Sequence, residues 1–280
     1  MAERHVLGLS GGRDSAALAI YVKQTMPDIK FEYFFTDTGK ELPEVYEFLG
    51  RLEGQLGPIL RLNPRRDFDF WLREYGNFLP SAQTRWCTRQ LKLAPFEQFV
   101  RPMLAAGDKV FSYVAIRGDE EYREGYSTNT KQTNLKIVLP FREAGIDKKG
   151  VIEILKSSGV GMPKYYDWRS RSGCTFCFFQ QKIEWVGLRE RHPEAYEEAK
   201  SYEKTALDNG SPFTWTQGEP LTELEKPERI IQIKQDFDVR KKREEERRPV
   251  NPLRQWDEPI DIDDLYGEDE GGGSCNVCHK

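Results

Sequence analysis

Short runs of apolar residues alternate with amphipathic stretches in the first third of the chain. Residues 5–9, 31–35 and 59–62 are apolar runs of the length typical of buried strands. Between them, residues 14–24 and 43–52 place apolar side chains at the spacing of a helix face. This strand–helix–strand order predicts an α/β fold with a doubly wound, mostly parallel sheet, in which ligands bind beyond the carboxyl ends of the strands.

The pattern changes along the rest of the chain. Residues 95–105 and 147–157 predict helices, and residues 110–116 give the strongest strand signal of the sequence. After Pro163, aromatic residues, arginines and a cysteine pair lead into a helical stretch over 182–209. We therefore expect an α/β domain over 1–165, a small helical lobe bearing cysteines over 166–249, and a flexible acidic tail over 250–280.

The composition indicates a soluble protein with well-solvated surfaces. Charged residues make up 31% of the 280 residues, and the mean hydropathy is −0.70. The sequence contains neither an apolar run long enough to span a membrane nor the apolar core of a signal peptide, so we expect a cytoplasmic protein with no membrane partner. The net charge of −4 argues mildly against a dedicated nucleic-acid binder, although arginines cluster locally. One such cluster is Arg61, Arg65, Arg66 and Arg73.

A loop suited to phosphate binding lies where the first strand ends and the first helix begins. Paired glycines allow a sharp turn that brings backbone N–H groups within reach of an anion, and the helix N-terminus adds partial positive charge. Hydroxyl groups supply further donors, and the carboxylate of Asp14 suits a Mg²⁺ ion held against pyrophosphate. The loop residues are Ser10, Gly11, Gly12, Arg13, Asp14 and Ser15. The alternative interpretation is an ordinary capped turn between a strand and a helix.

This Ser-Gly-Gly-x-Asp-Ser loop resembles the PP-loop of the ATP pyrophosphatase superfamily, whose fold is that of the adenine nucleotide alpha-hydrolases. The superfamily includes phosphoadenylylsulfate (PAPS) and adenylylsulfate (APS) reductases, tRNA thiolation enzymes and DNA phosphorothioation enzymes. Residues 35–39 resemble the Asp-Thr-Gly segment of the reductase-like branch, which implies that Asp37 and Thr38 lie beside the nucleotide. Residues 116–120 resemble its phosphate-contacting segment, which implies that Arg117 and Gly118 contact the departing pyrophosphate. Residues 139–142 and 151–152 are similar to a further segment of the branch, and the resemblance covers about residues 5–205.

Five cysteines, an odd number, favour metal or redox chemistry over a disulfide framework in a cytoplasmic chain. The iron–sulfur members of the branch carry a Cys-Cys pair and a distant Cys-x-x-Cys, and Cys87, Cys174 and Cys177 fall at matching places. Trp86 replaces the first cysteine of the pair, so only three ligands match. The resemblance implies a [4Fe–4S] cluster, either with a fourth ligand from elsewhere or with one iron left open for sulfur. A zinc site or a set of reduced thiols is the alternative.

The tail carries a second cysteine pair, Cys275 and Cys278, followed by His279. A mobile thiolate there could deliver or accept sulfur, and either cysteine could complete a cluster. Sulfonucleotide reductases carry a catalytic cysteine near the C-terminus in a Glu-Cys-Gly-Leu-His context, which this tail lacks. The alternative is an end of the chain with only adventitious metal affinity.

A helical motif directs the functional prediction toward DNA phosphorothioation. It is similar to the segment after the cysteine pair in those enzymes, and it comprises Trp185, Leu188, His192, Pro193 and Tyr196. The resemblance implies an ATP pyrophosphatase that adenylates DNA backbone phosphate for sulfur insertion. It also implies ATP and Mg²⁺ as cofactors, contact with DNA through partner proteins, and a cysteine desulfurase as sulfur source. A PAPS or APS reductase, a tRNA thiolation enzyme and a non-catalytic nucleotide-binding partner remain the alternatives.

Overall fold

A five-stranded parallel sheet forms the centre of the computed structural model. The structure describes residues 1–63, 66–121, 123, 134–211, 213–247, 262 and 265. The strands are β1 (Glu3–Leu9), β2 (Phe31–Phe35), β3 (Ile59–Arg61), β4 (Lys109–Tyr113) and β5 (Leu135–Val138). They lie in the order β3-β2-β1-β4-β5, and every neighbouring pair is parallel. The predicted doubly wound α/β fold is therefore confirmed.

Helices connect the strands and continue beyond the sheet. Those before β5 are α1 (Arg13–Thr25), α2 (Pro43–Leu56), α3 (Phe68–Glu74), α4 (Trp86–Thr88) and α5 (Ala94–Ala105), with a π-helical segment (Arg89–Leu93) between the last two. Those after β5 are α6 (Pro140–Glu143), α7 (Lys148–Ser157), α8 (Lys182–Arg191), α9 (Pro193–Asp208), α10 (Leu221–Leu224) and α11 (Pro227–Arg247), with a 3₁₀ turn at Lys164–Asp167. None of the helices described is both long and apolar enough to cross a membrane.

The two faces of the sheet bury two separate sets of side chains. On one face, Leu7 and Phe35 pack with α1 and α2 in the larger cluster. On the other, Val6 and Phe34 pack with Val100 of α5. Side chains alternate between faces along a strand, so consecutive residues of β1 and β2 enter different clusters. The continuous apolar runs of the sequence thus reflect strands that are covered on both sides.

The helices after residue 166 share the larger core with the sheet. Trp185 of α8 and Tyr196 of α9 are buried in the same cluster as Leu7, together with Trp215. The helical stretch expected over 182–209 consists of two helices, which meet at His192 and Pro193. His192 adopts φ −133° and ψ 63°, outside the helical region, and Pro193 begins α9 where its missing N–H costs nothing.

Two further boundaries differ from the sequence expectation. The strand expected over 110–116 ends at Tyr113, because its partner β5 ends at Val138, the residue paired with Tyr113. Val114 and Ala115 remain buried but line a cleft instead of extending the sheet. Arg13, expected in the loop, lies in the first turn of α1. The expected tail with Cys275 and Cys278, and Arg65 of the arginine cluster, lie outside the described residues.

Candidate active site

The loop between β1 and α1 has a backbone that only glycine accommodates readily. Gly11 adopts φ +72°, and a Cβ atom added there would lie 2.5 Å from Cγ1 of Val45 on α2. A Cβ atom added at Gly12 would lie 2.8 Å from the hydroxyl oxygen of Ser172. Position 11 therefore excludes larger residues through both backbone conformation and space. The loop therefore ends at the N-terminus of α1, where backbone N–H groups favour the binding of an anion.

Three serine hydroxyls meet at the start of this loop. The hydroxyl oxygens of Ser10 and Ser15 lie 3.1 Å apart, and the hydroxyl of Ser172 donates to that of Ser10 over 3.3 Å. The backbone N–H of Ser10 also donates to the Ser15 hydroxyl, at 3.1 Å. Residues 162 positions apart in the chain thus join in one hydroxyl cluster. Hydroxyl groups can rotate to donate to an incoming phosphate oxygen.

Two tyrosines of the 3₁₀ turn fix the loop from the other side. The hydroxyl of Tyr165, which is fully buried, donates to the carbonyl oxygen of Gly11 over 2.7 Å. The backbone N–H of Arg13 donates to the Tyr166 hydroxyl at 3.2 Å, and the Arg13 guanidinium lies 4.7 Å from the centre of the Tyr166 ring. These bonds satisfy polar groups that the turn would otherwise bury unpaired.

Asp14 and Arg117 meet at the carboxyl ends of the neighbouring strands β1 and β4. Nη1 of Arg117 lies 3.2 Å from Oδ1 of Asp14, and Nε of Arg117 lies 2.9 Å from Oδ1 of Asp119. These carboxylates, with Glu120, raise the pKa of the Arg117 guanidinium against the opposing effect of burial. The backbone N–H of Arg117 donates to Glu120, which also accepts from Arg123 over 2.6 Å. Arg117 is therefore held as a cation with a fixed orientation.

The segment that follows Arg117 is tightly packed against the turn before α7. The backbone N–H of Gly118 donates to the carbonyl of Ile146 over 2.9 Å. A Cβ atom added at Gly118 would lie 3.1 Å from backbone atoms of Gly145. Arg142 of α6 donates to the backbone carbonyls of Glu120 and Arg123. The motif segments at 116–120 and 139–142, distant in sequence, are thus bonded to one another.

Asp37 and Thr38 lie beyond the end of β2 and take different partners. Oδ1 of Asp37 accepts from the Tyr46 hydroxyl over 2.8 Å and from the backbone N–H of Gly39 over 2.9 Å. Burial and this bond to Asp37 raise the pKa of Tyr46. Thr38 is buried, and its hydroxyl donates to Glu41 at 2.9 Å. Asp37 therefore orders the turn after β2, while Thr38 faces the segment that carries the cysteines.

A cleft opens beside the loop at the carboxyl edge of the sheet. Its polar wall includes the hydroxyls of Ser10 and Ser15, and its apolar wall includes Leu93 and Phe96. The remaining lining residues come from the C-terminal parts of four strands, from the segments that follow them and from the facing helix: Gly8, Leu9, Phe34, Phe35, Thr36, Glu41, Lys92, Ser112, Tyr113, Val114, Ala115 and Ile137. The cleft lies where the strand order reverses between β1 and β4, the usual ligand position in such sheets.

The Cys-x-x-Cys segment lies against the turn after β2. The hydroxyl oxygen of Thr38 is 3.4 Å from Sγ of Cys174, and Cys174 donates to Oε1 of Glu41 over 3.9 Å. Burial and the Glu41 charge raise the pKa of the Cys174 thiol, and burial raises the pKa of Glu41. Arg169, fully buried, donates from Nη2 to the Cys174 carbonyl at 2.6 Å. Cys174 is thereby held as a protonated thiol beside a carboxyl group.

The predicted metal ligands are not assembled into a metal site. Cys87 lies in α4, and Cys174 and Cys177 lie in the segment before α8; all three are half-buried. Among the residues that the structure describes, no group of three or more His, Cys, Asp or Glu side chains could hold a metal ion. A metal site on these three cysteines therefore stays a prediction.

The structure adds residues to the site that the sequence did not single out. Tyr165, Tyr166 and Ser172 contact the phosphate loop from more than 150 positions away, and Arg169 contacts the cysteine segment. The sequence signal was only a cluster of aromatic residues and arginines before Cys174. Such a cluster has no regular periodicity, so the sequence does not indicate which part of the fold it contacts.

Comparison with known proteins gives one family match. A model of the phosphoadenosine phosphosulfate reductase domain matches residues 4–259. An uncharacterized protein of Methanocaldococcus jannaschii is 24% identical over 193 residues, which are 67% of this chain and 44% of that protein. An uncharacterized 37.8 kDa protein of Escherichia phage 186 is 23% identical over 266 residues, covering 71% of this chain and 74% of that protein. The crystal structure of a PAPS reductase from Candida auris, in a phosphate complex, is 12% identical with a TM-score of 0.47, covering 61% of this chain and 81% of that one.

Proposed function

The chain belongs to the phosphoadenosine phosphosulfate reductase family, and from this membership we propose that it is an enzyme that splits ATP into AMP and pyrophosphate. The AMP is first transferred to an acceptor, a DNA backbone phosphate, which is thereby activated for replacement of one oxygen by sulfur. The observation that carries the proposal is the pairing of Asp14 with Arg117 at the mouth of the phosphate loop.

The loop and its neighbours support binding of the triphosphate. The N-terminus of α1 and the hydroxyls of Ser10 and Ser15 provide donors on one side, and Arg117 provides a fixed positive charge on the other. The base of the nucleotide occupies the apolar part of the cleft, between Leu93 and Phe96. This placement sets the phosphates at the loop and the adenosine along the carboxyl ends of the strands.

In the first step, a non-bridging oxygen of the DNA phosphate attacks the α-phosphorus of ATP. The bond from the α-phosphorus to the oxygen that bridges to the β-phosphorus breaks, and pyrophosphate leaves with the electron pair. Arg117 stabilises the charge that develops on pyrophosphate, because its guanidinium is already oriented and cannot lose its proton under physiological conditions. The loop hydroxyls hold the same group in line with the attacking oxygen.

In the second step, a sulfide equivalent attacks the phosphorus of the adenylylated DNA phosphate. The phosphorus–oxygen bond to AMP breaks, AMP leaves, and the DNA keeps a sulfur atom in place of one non-bridging oxygen. We propose that a partner cysteine desulfurase supplies the sulfur as a persulfide, that a thiol reductant releases it as sulfide and is itself oxidised to a disulfide, and that partner proteins help to hold the DNA. The match to the archaeal relative covers 44% of that protein, so what the whole relative does gives no assignment for this chain.

The proposal includes two inorganic cofactors, Mg²⁺ and a [4Fe–4S] cluster, and the structure supports the first more than the second. Mg²⁺ is bound in many such sites by one or two carboxylates together with substrate phosphates, and Asp14 fits that requirement. When bound, Mg²⁺ would neutralise charge on the phosphates. A [4Fe–4S] cluster on Cys87, Cys174 and Cys177 stays a prediction, because the described residues do not assemble three such ligands into a metal-binding group. No step of the proposed reaction passes through a cluster.

A reductase acting on PAPS or APS is the second candidate, and the family match favours it as much as the first. Such a reaction transfers a sulfonate sulfur to a cysteine thiolate. Cys174 is held as a protonated thiol beside Glu41, which disfavours it as that nucleophile. The tail cysteines Cys275 and Cys278 lie outside the described residues and lack the Glu-Cys-Gly-Leu context.

Parallel assays of anaerobically purified protein distinguish the two candidates. One arm supplies Mg²⁺, ATP and sulfide with single-stranded or duplex DNA, and a second supplies the same reagents with tRNA as acceptor. A third arm supplies PAPS or APS with a dithiol reductant. We expect AMP and pyrophosphate in the DNA arm and no sulfite in the third. Sulfite release with ATP left intact would establish the reductase, and product in the tRNA arm alone would establish tRNA thiolation. Tight nucleotide binding without turnover in any arm would establish a non-catalytic partner.

A further inference from the structure

A surface of arginines and aromatic rings lies beside the nucleotide cleft. We propose that this surface binds single-stranded DNA, with the phosphodiester backbone on the arginines and unstacked bases on the exposed rings. The arginine–aromatic surface, as it is called below, comprises Arg66, Tyr75, Phe78, Arg85 and Arg89. The buried ring of Phe179 supports it from below. The inference rests on the proposed function, because it assigns a binding site to the acceptor of that reaction.

The centre of the surface is the helical turn that leads into the π-helical segment. Arg85, Arg89 and Gln90 line an open groove along this helix, and Glu97 lies at its far end. Leu93 lines both this groove and the nucleotide cleft. A DNA strand whose phosphodiester backbone follows these arginines therefore reaches the wall of the cleft in which the ATP phosphates are proposed to lie.

Stacked rings and guanidinium groups extend the surface in both directions. The Arg85 guanidinium lies 5.1 Å from the centre of the Phe179 ring, and Arg171 lies 5.9 Å from the same ring. Arg171 immediately precedes Ser172, whose hydroxyl donates to Ser10 of the phosphate loop. One end of the surface thus contacts the loop through consecutive residues.

The other end is carried by α3. The Arg66 guanidinium lies 4.4 Å from the ring centre of Phe70 and 5.7 Å from that of Trp71. Trp71 contacts Tyr75 at 6.2 Å, and Tyr75 stacks on Trp86 at 5.2 Å with 11° between the ring planes. Rings in contact along this path hold the arginines apart at fixed positions.

Exposure makes the surface available to a ligand. Tyr75 is 39% exposed and Phe78 is 38% exposed, although both are large and apolar. Exposed aromatic rings beside cations are the arrangement on which proteins stack unpaired bases. Duplex DNA keeps its bases stacked inside, so these rings favour a single strand.

The charge of the surface matches a polyanion although the chain as a whole is acidic. Within the part of the chain that the structure describes, the ion pairs include none that joins Arg66, Arg85 or Arg89 to a carboxylate. Two nearby carboxylates have other partners: Asp67 caps α3 through the N–H of Phe70, and Asp69 pairs with Lys40 at 3.4 Å. Among the described residues, these three arginines therefore keep a charge that no carboxylate pairs with.

Anisotropy of a labelled 20-nucleotide single strand, titrated with full-length protein, tests the inference. We expect Arg85→Gln/Arg89→Gln to weaken binding at least tenfold and to lower the slope of log affinity against log salt by about 1.4, since each phosphate contact contributes about 0.7. The control Arg51→Gln/Lys156→Gln removes two charges from α2 and α7, which carry none of the residues of this surface, and should change affinity less than twofold. Arg85→Lys/Arg89→Lys should restore most of the binding.

The role of the rings is tested separately. Phe78→Ala should weaken binding of a base-bearing strand at least fivefold and leave an abasic strand of equal length unaffected. Equal affinity of wild type and Arg85→Gln/Arg89→Gln would overturn the inference, and so would tighter binding of duplex DNA or of RNA. Binding is measured without nucleotide, so its result is independent of ATP cleavage. ATP cleavage with DNA binding insensitive to these variants would refute the surface alone, and DNA binding without cleavage would refute the proposed function alone.

Discussion

Nη1 of Arg117 lies 3.2 Å from Oδ1 of Asp14, and both side chains are largely buried. The two residues are 103 positions apart, yet Asp14 lies shortly after the end of β1, Arg117 lies shortly after the end of β4, and these strands are neighbours in the sheet. A guanidinium and a carboxylate therefore meet where the phosphate loop opens. Arg117 offers a positive charge to a leaving phosphate, and the adjacent Asp14 offers an oxygen ligand to Mg²⁺.

Replacing Arg117 by Gln should lower the rate of AMP formation by about 100-fold or more, as loss of a preoriented donor to a developing charge does in other enzymes. Arg117→Lys should retain part of the rate, because it keeps the charge but loses the second bond to Asp119. The control Arg4→Gln removes an arginine that pairs with Glu32 at the far end of β1. Single-turnover rates with labelled ATP measure the effect. A rate for Arg117→Gln equal to that of Arg4→Gln would remove Arg117 from the reaction.

Gly11→Ala should destabilise the protein more than Gly39→Ala does. Both glycines adopt φ +72°, which costs an alanine about 1 kcal/mol. Only position 11 adds a contact of 2.5 Å with Val45, and such overpacking costs about 1–3 kcal/mol more. Urea unfolding of both variants measures the difference, and Gly11→Ala/Val45→Ala should recover part of it. Equal unfolding free energies for the two single variants would show that the loop can move away from α2.

Tyr165→Phe should destabilise the protein by about 1–3 kcal/mol, because it leaves the buried carbonyl of Gly11 without its donor. The binding of inorganic pyrophosphate should weaken as well, since this bond fixes the turn that presents the loop. Tyr21→Phe is a matched control on α1, whose ring packs against Phe141. Thermal unfolding and calorimetric titration measure the two effects. A Tyr165→Phe protein as stable as Tyr21→Phe would show that the bond contributes nothing.

The acid stability of the C-terminal helices should depend on Glu219. Lys182 lies 2.6 Å from this carboxylate, and Arg229 also pairs with it. The bond to Arg229, followed by that to Lys182, lowers the pKa of Glu219 to about 2. Since the folded pKa lies below the ordinary value of 4.5, the stabilisation is present above pH 4.5 and is lost as the pH falls toward 2.

Solvent screening reduces this contribution to about 1 kcal/mol, less than the full shift would give. Urea unfolding of wild type and Glu219→Gln between pH 2 and pH 6 measures it. The two proteins should differ most at pH 6 and converge near pH 2. A constant difference across this range would show that the charge on Glu219 contributes nothing.

The sequence indicates the candidate residues that lie near strand ends. It does not indicate the distant side chains that contact them. Asp14 and Arg117 each follow an apolar run, and parallel strands place their carboxyl ends at one edge, so their proximity could be inferred. Tyr165 and Ser172 contact the loop through a turn with no regular period, which gives no local signal of the contact. The junction at His192 was missed because Pro193 suits the first turn of a helix as well as a helix end.

The claim that the phosphate loop directs cleavage at the α-phosphate is tested most directly by the products formed from α-labelled ATP. Wild type, Asp14→Asn and Asp28→Asn are compared with Mg²⁺, sulfide and single-stranded DNA, Asp28 being an exposed residue between α1 and β2. The replacement at position 14 keeps the size of the side chain and removes only its charge. We expect labelled AMP and unlabelled pyrophosphate from wild type and Asp28→Asn, and at least a 100-fold loss of both from Asp14→Asn. Labelled ADP in place of AMP, or full activity of Asp14→Asn, would contradict cleavage at the α-phosphate by this loop.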